Sequence, residues 1–329
     1  MKCLLKTVAL LLSLVLLILP CLSSCGFWKK DEPVSLDGKK VLFIGNSFTF
    51  YGHVVIEKST TTFELSKRDN DQGYFYQICK SNGQEPYVVN WTFGGHSLHD
   101  LFSGSCAANR NCDGVDHFSY LTDLVYDYIF ISHGGGDRYQ ETFIEDMARV
   151  TSIFREANPD VKIIYAPSTS VYTVNGDTVD TYKLREESVI IDHLDALREE
   201  GVIIADWGKM LVDIMEGTTE VPGATQEYTK TSFIVARTAD DGYHPNQLTG
   251  YLTALMAYCV MTGESAVGQS YAFCNDRTIH KKFDFYEFQF NKYKKASTNY
   301  IRIFHTESDM LGLQQVIDEY IKAEKERCK

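Results

Sequence analysis

Five short runs of almost unbroken apolar β-formers set the strongest limit on how this chain folds: KKVLFIG (39–45), PYVVNWTF (86–93), YDYIFIS (126–132), VKIIYAP (161–167) and GVIIADWG (201–208). A strand with one wet face alternates apolar and polar residues, so runs that are apolar at nearly every position predict strands covered on both faces. Between them, 139–160 and 180–201 carry apolar residues at helical spacing, as do 246–263 and 307–326 farther on. Strand alternating with helix predicts an α/β fold, a parallel sheet with helices on both sides. In such a sheet ligands bind outside the carboxyl ends of the strands. Gly45-Asn46-Ser47, Gly94-Gly95 and the stretch from His133 to Asp137 follow the first three runs, so three glycine-bearing loops are expected on one rim. The aromatic stretch 283–290 slips its alternation once and is read as core packing rather than a strand.

The amino-terminal end reads as a targeting segment. Lys2 and Lys6 precede an apolar run from Val8 to Leu19, shorter than the ~20 residues of a membrane-spanning helix and suited to an export signal. Leu22-Ser23-Ser24-Cys25 resembles the bacterial lipobox, in which cleavage leaves an acylated cysteine at the new terminus. Residues 1–24 are therefore read as a lipoprotein signal, Cys25 as a lipid anchor, 25–38 as a polar tether and 39–329 as the domain. That places the protein in the bacterial cell envelope or at the surface, with the membrane as a partner. An ordinary secretory signal cut near the same place is the alternative.

The formal charge of −12 comes from dispersed acids, and without a basic face nucleic acid is excluded as a partner. Cys79, Cys106, Cys112, Cys259, Cys274 and Cys328 remain beyond the signal and anchor. Cys106 and Cys112 flank a polar loop and form the disulfide candidate for an exported chain, whereas Cys259 lies in an apolar helical run where a buried thiol is expected. No cysteine–histidine spacing matches a zinc site, so neither a metal nor another cofactor is expected.

Ser47 is either a turn residue or a nucleophile. A nucleophilic serine needs a base, a group that orients the base, and donors aimed at the oxyanion. Of nine histidines, His244 in ADDGYHPNQ (239–247) stands out, with Asp241 three residues before it. A turn at Gly242 would bring the carboxylate to the imidazole Nδ1–H and leave Nε2 outward, the orientation of a general base. Alone, Asp-x-x-His also caps many loops. His96, His99 and Asp100, or His133, lack the i, i+4 pairing that sets two metal ligands on one helical face. His96 and His99 are read as rim residues, His53 as a helix cap and Asp137 as a loop acid.

Taken in order, Gly45-Asn46-Ser47 after the first strand, Gly95 after the second, the glycine-rich loop ending at Asp137 after the third, and Asp241-Gly-Tyr-His244-Pro-Asn near the carboxyl end resemble the SGNH (GDSL-type) hydrolase superfamily. GNSFT carries Asn46 where many members have Asp, as in a bacterial branch of that superfamily. The resemblance spans roughly 39–265. It implies a flavodoxin-like three-layer α/β/α sandwich on a five-stranded parallel sheet and hydrolysis of esters, often acetyl groups on carbohydrates. It makes Ser47 the nucleophile, His244 the base and Asp241 its orienter, with the N–H groups of Ser47 and Gly95 in the oxyanion hole. The third block departs from the pattern: Gly136 stands where an Asn side chain supplies the third donor, so His133 or Asn46 is the candidate replacement. An acylated carbohydrate is the expected substrate. A lipid or lysophospholipid ester, and a binding module that has lost turnover, are the alternatives.

Overall fold

A computed structural model of the chain describes residues 32–50, 52, 54–55, 73–92, 98–99, 122, 124–132, 142–167, 172–174, 177–179, 193–229, 232–233, 245–275 and 305–328. Its strands are β1 (Lys40–Gly45), β2 (Tyr87–Thr92), β3 (Tyr128–Ser132), β4 (Lys162–Tyr165), β5 (Tyr172–Val174), β6 (Asp177–Val179) and β7 (Ile203–Ile204). Its helices are α1 (Ser47–Phe50), α2 (Tyr74–Ser81), α3 (Phe143–Ala157), α4 (Leu194–Glu199), α5 (Trp207–Met215), α6 (Gln247–Thr262) and α7 (Glu307–Arg327).

The five apolar runs make one sheet in the order β2-β1-β3-β4-β7, and every neighbouring pair is parallel. Because successive side chains point to opposite faces, Val41, Phe43, Tyr128, Phe130, Ile164 and Ile203 enter one core, shared with α2, α5, α6 and α7. Leu42, Ile44, Val89, Trp91, Ile129, Ile131 and Ile163 enter the other, shared with α3 and α4. The result is the three-layer α/β/α sandwich. β5 and β6 form a separate antiparallel pair that the apolar pattern does not announce.

Helix α6 has no charged residue and is buried on every side, because it lies on the sheet and also packs on α2 and α7. Asn246 starts it by accepting the Thr249 N–H. Gly263 ends it at φ +78, a left-handed conformation that glycine adopts without a Cβ penalty.

Two boundaries differ from the sequence reading. The run 201–208 is a strand only at Ile203–Ile204, because the Asp206 carboxylate accepts the Lys209 N–H at 3.0 Å and starts α5 at Trp207. Residues 34–38, counted with the tether on their polarity, belong to the body. The Val34 N–H donates to the Thr262 carbonyl at 2.8 Å, the Leu36 N–H donates to Gln84 Oε1 at 2.8 Å, and Leu36 is fully buried. Cys79, Cys259 and Cys274 are buried and in no disulfide, and burial pushes all three thiols up. Residues 1–24, Cys25, Cys106, Cys112 and 283–290 lie outside the described residues.

The start of helix α7 anchors the segment that ends at Thr225. Asp309 closes a capping box with Thr306 and also accepts the Thr225 N–H at 2.6 Å and the Thr225 hydroxyl at 2.9 Å. Burial opposes ionisation of this carboxyl, but the hydrogen bonds from Thr225 and Thr306 outweigh it and hold the pKa at about 2. A depressed folded-state pKa contributes stability above the ordinary carboxylate range that is lost as pH falls through about 2. Asp309→Asn is expected to cost about 2 kcal/mol near neutral pH, and its deficit against the wild type should shrink as the medium is acidified; urea unfolding across that range reads both.

The closest approach at any described glycine joins the segment after α1 to the start of α6. A Cβ at Gly250 would lie 1.5 Å from the Gly52 carbonyl oxygen, and a Cβ at Gly52 would lie 2.7 Å from the Gly250 Cα. Both obstacles are backbone and cannot swing away. Gly250→Ala is expected to destabilise by about 3 kcal/mol or more through overpacking. Gly263→Ala, with open space around it, should cost about 1 kcal/mol from its positive φ alone; thermal melts of the two variants test the contrast.

Candidate active site

The sheet is apolar until its carboxyl ends, where three adjacent strands finish in register on Thr92, Gly45 and Ser132. All three point to the α6 side of the sheet by strand alternation, and they form a polar floor beneath the turn after β1. Thr49 folds back onto this floor and its Oγ1 donates to the Ser132 carbonyl at 3.4 Å. The space it uses is the one a side chain at residue 45 would fill, because a Cβ there would lie 2.2 Å from Thr49 Oγ1 and 2.7 Å from the Ser132 oxygen. Thr92 Oγ1 donates to Asn90 Oδ1 at 2.8 Å. The Ser132 hydroxyl is buried with no hydrogen-bond partner among the described residues, an arrangement that costs about 1–3 kcal/mol.

Ser47 opens α1, two residues past β1, and is about nine-tenths buried. The first N–H groups of a helix have no partners inside it, and here three of the four are taken locally. The Phe48 N–H donates to Asn46 Oδ1 at 3.1 Å, and the N–H groups of Thr49 and Phe50 donate to the Asn46 carbonyl at 2.9 and 3.4 Å. Among the described residues the Ser47 N–H has no acceptor. GNSFT thus reads physically as room at residue 45, an acceptor at 46, a buried serine opening the helix at 47 and a tuck at 49. The Asn46 acceptor oxygen belongs to the turn.

Asp241, His244, Gly95, His96, His133, Gly136 and Asp137 lie outside the described residues. The residues that bound the Asp241–His244 loop are described, and they meet. The Asn246 N–H donates to the Phe233 carbonyl at 3.2 Å, Asn246 Nδ2 donates to the Ser232 carbonyl at 2.8 Å, and Thr249 Oγ1 donates to the Phe233 carbonyl at 2.5 Å. The chain therefore leaves at Phe233 and returns at Pro245 to the same point. That point touches the segment after Ser47: a Cβ on Gly52 would lie 3.2 Å from the Asn246 carbonyl oxygen.

One constellation was not anticipated as such. His99, read from the sequence as a rim residue, places Nδ1 3.3 Å from both oxygens of Asp146 and 3.3 Å from Thr142 Oγ1. The Thr142 hydroxyl donates to Asp146 Oδ2 at 2.8 Å. Thr142 and Asp146, four residues apart at the start of a predicted helix, were the signal for it, since both fall on one helical face.

Cavities of about 310 Å³ beside Asp206, Lys209 and Tyr320, and of about 360 Å³ beside Lys39, Asp127 and Lys162, are not lined by Ser47. Among the described residues no three His, Cys, Asp or Glu side chains gather as metal ligands would.

No protein-family model and no curated protein sequence matches the chain. Solved structures resemble it in part. A protein of Parabacteroides merdae described as a GDSL-like lipase is 14% identical with a TM-score of 0.46, over 70% of this chain and 99% of its own. An acetylxylan esterase from Geobacillus stearothermophilus is 17% identical with a TM-score of 0.43, over 68% and 96%. The periplasmic domain of a lipopolysaccharide acetyltransferase from Salmonella ser. Paratyphi A is 10% identical with a TM-score of 0.37, over 54% and 69%.

The turn assignment is testable. Asn46→Ala removes the acceptor for the Phe48 N–H and is expected to cost about 1 kcal/mol, while Asn46→Asp keeps an acceptor there and should stay within a few tenths of the wild type. Denaturant titration of both variants measures the difference.

Proposed function

We propose that the protein is a serine ester hydrolase working on the rim above Gly45. The observation that carries this reading is the contact between Gly52 and the Asn246–Gly250 turn. It sets the two ends of the loop that holds Asp241 and His244 against the segment that begins at Ser47. In the proposed reaction the Ser47 hydroxyl attacks an acyl carbon while His244 takes its proton and Asp241 holds the imidazole. The alcohol leaves with the proton from His244, and water then releases the acyl group by the same route in reverse. The Ser47 N–H, without an acceptor among the described residues, supports its role as an oxyanion donor alongside Gly95. The proposed third donor, in place of the residue lost at Gly136, is His133 or the Asn46 side-chain amide, whose oxygen is turned to the Phe48 N–H and whose Nδ2 is the donor.

The proposed substrate is an acylated carbohydrate, and the proposed location the cell envelope, with Cys25 lipidated. A lipid or lysophospholipid ester is the alternative substrate.

Ser47→Ala is expected to lower hydrolysis of p-nitrophenyl acetate by at least about 10³-fold, and His244→Ala by a similar factor. Wild-type rates in the Ser47→Ala protein would leave a binding module as the reading.

A further inference from the structure

An aromatic row joins the start of α7 to the start of α6, and a titratable ring stands at one end of it. Tyr228 and Phe233, both buried, stack with centroids 5.6 Å and planes 18° apart. His305, which precedes the capping box of α7, stacks on Tyr228 with centroids 6.0 Å and planes 2° apart. At the other end the Phe233 carbonyl accepts the Asn246 N–H and the Thr249 hydroxyl.

The hydrogen positions around His305 follow from its partners. Gln226 Nε2 lies 2.9 Å from His305 Nδ1 and 3.4 Å from Asp309 Oδ2. An amide nitrogen only donates and an ionised carboxylate only accepts, so Nδ1 is an acceptor and the neutral ring carries its proton on Nε2. A proton arriving at Nδ1 would set donor against donor. Turning the amide over gives no relief, because its oxygen would then stand where Nε2 is, 3.4 Å from Asp309 Oδ2. The Tyr228 hydroxyl, 3.5 Å from Nδ1, can donate to the neutral ring or accept from the charged one. Stacking on a phenol suits an imidazolium as well as an imidazole, so the conflict falls on Gln226.

Among the described residues the titratable groups that face His305 are Asp309 from α7 and Tyr228 from the segment before Phe233. Asp309 stays ionised down to about pH 2, and burial pushes Tyr228 up, so it remains a neutral phenol. Burial of His305 opposes its charge and outweighs the attraction of Asp309, which puts its titration below the ordinary imidazole range. The neutral arrangement is therefore complete above that range and is lost as pH falls through the folded-state value.

We infer that His305 is a proton-operated latch: neutral, it holds the Gln226 amide and leaves Asp309 to Thr225, and protonated, it expels Gln226 and competes with Thr225 for Asp309, so that residues 225–228 loosen from α7 in acid. The latch needs no part of the esterase reading.

The Thr225 N–H, which donates to Asp309 at 2.6 Å, reports its state. In the full chain the amide exchange protection of Thr225, corrected for the intrinsic effect of pH, should fall roughly 5- to 10-fold between pH 7.5 and 5.0, the scale of one hydrogen bond. His305→Asn keeps an acceptor near the place of Nδ1 and does not titrate, so its protection should hold level over the same range. A level profile in the wild type, or an equal fall in His305→Asn, overturns the proposal. Gln226→Met keeps the bulk over the ring and removes the donor. An NMR titration of His305 in that variant should show proton affinity raised roughly 5-fold, about 0.7 pH unit; an unchanged midpoint overturns the latch even where the exchange result agrees with it.

Discussion

Two backbones touching with nothing between them hold the rim together. The approach of Gly52 to Gly250 is possible only because neither residue has a side chain, and it ties the first loop of the sheet to the helix nearly two hundred residues later. Helix α6 can accept that contact because it is apolar all round and immobilised on every side. The stem formed by Phe233, Asn246 and Thr249 is then fixed by the same helix end. Upstream, Asp309 and Gly312 pin the segment from Pro222 to Thr225 against α7. Local hydrogen bonds, helix packing and a backbone contact therefore converge on one loop.

The floor under Ser47 shows a different use of energy. A doubly covered sheet gains most from apolar side chains, and the strands keep to that rule until their last residues. There Thr92, Gly45 and Ser132 replace bulk with small polar groups, and Asn90 is buried one step earlier. Each exchange forgoes apolar burial worth about 25 cal/mol per Å². What is gained is definition of position: Thr49 drops into the space at residue 45, and the turn carrying Ser47 has one way to sit.

Much of this was legible in the chain. The five apolar runs identify the five strands because burial on both faces removes polar residues from every position, a signal that needs no partner to interpret. The order β2-β1-β3-β4-β7 was not legible, since each run would suit any place in the sheet. β7 was read too long because GVIIADWG stays apolar through Trp207, and only the Asp206 cap reveals that the helix has begun. Ser47 at a strand end was plain. The partnership of His99 with Asp146 was not, because it joins residues 47 apart whose types are common in loops, and only the crossing over β1 brings them together. Leu36 was lost in a polar stretch for a similar reason: a single buried side chain carries no period.

The docking of Val34 and Leu36 at the amino ends of the strands has a mechanical consequence. Val34 is bonded to the end of α6 and Leu36 to Gln84, so a pull on the amino-terminal end would be borne by that helix and by the residues that lead into β2, at the opposite end of the sheet from Ser47, and the turn after β1 would be spared the load.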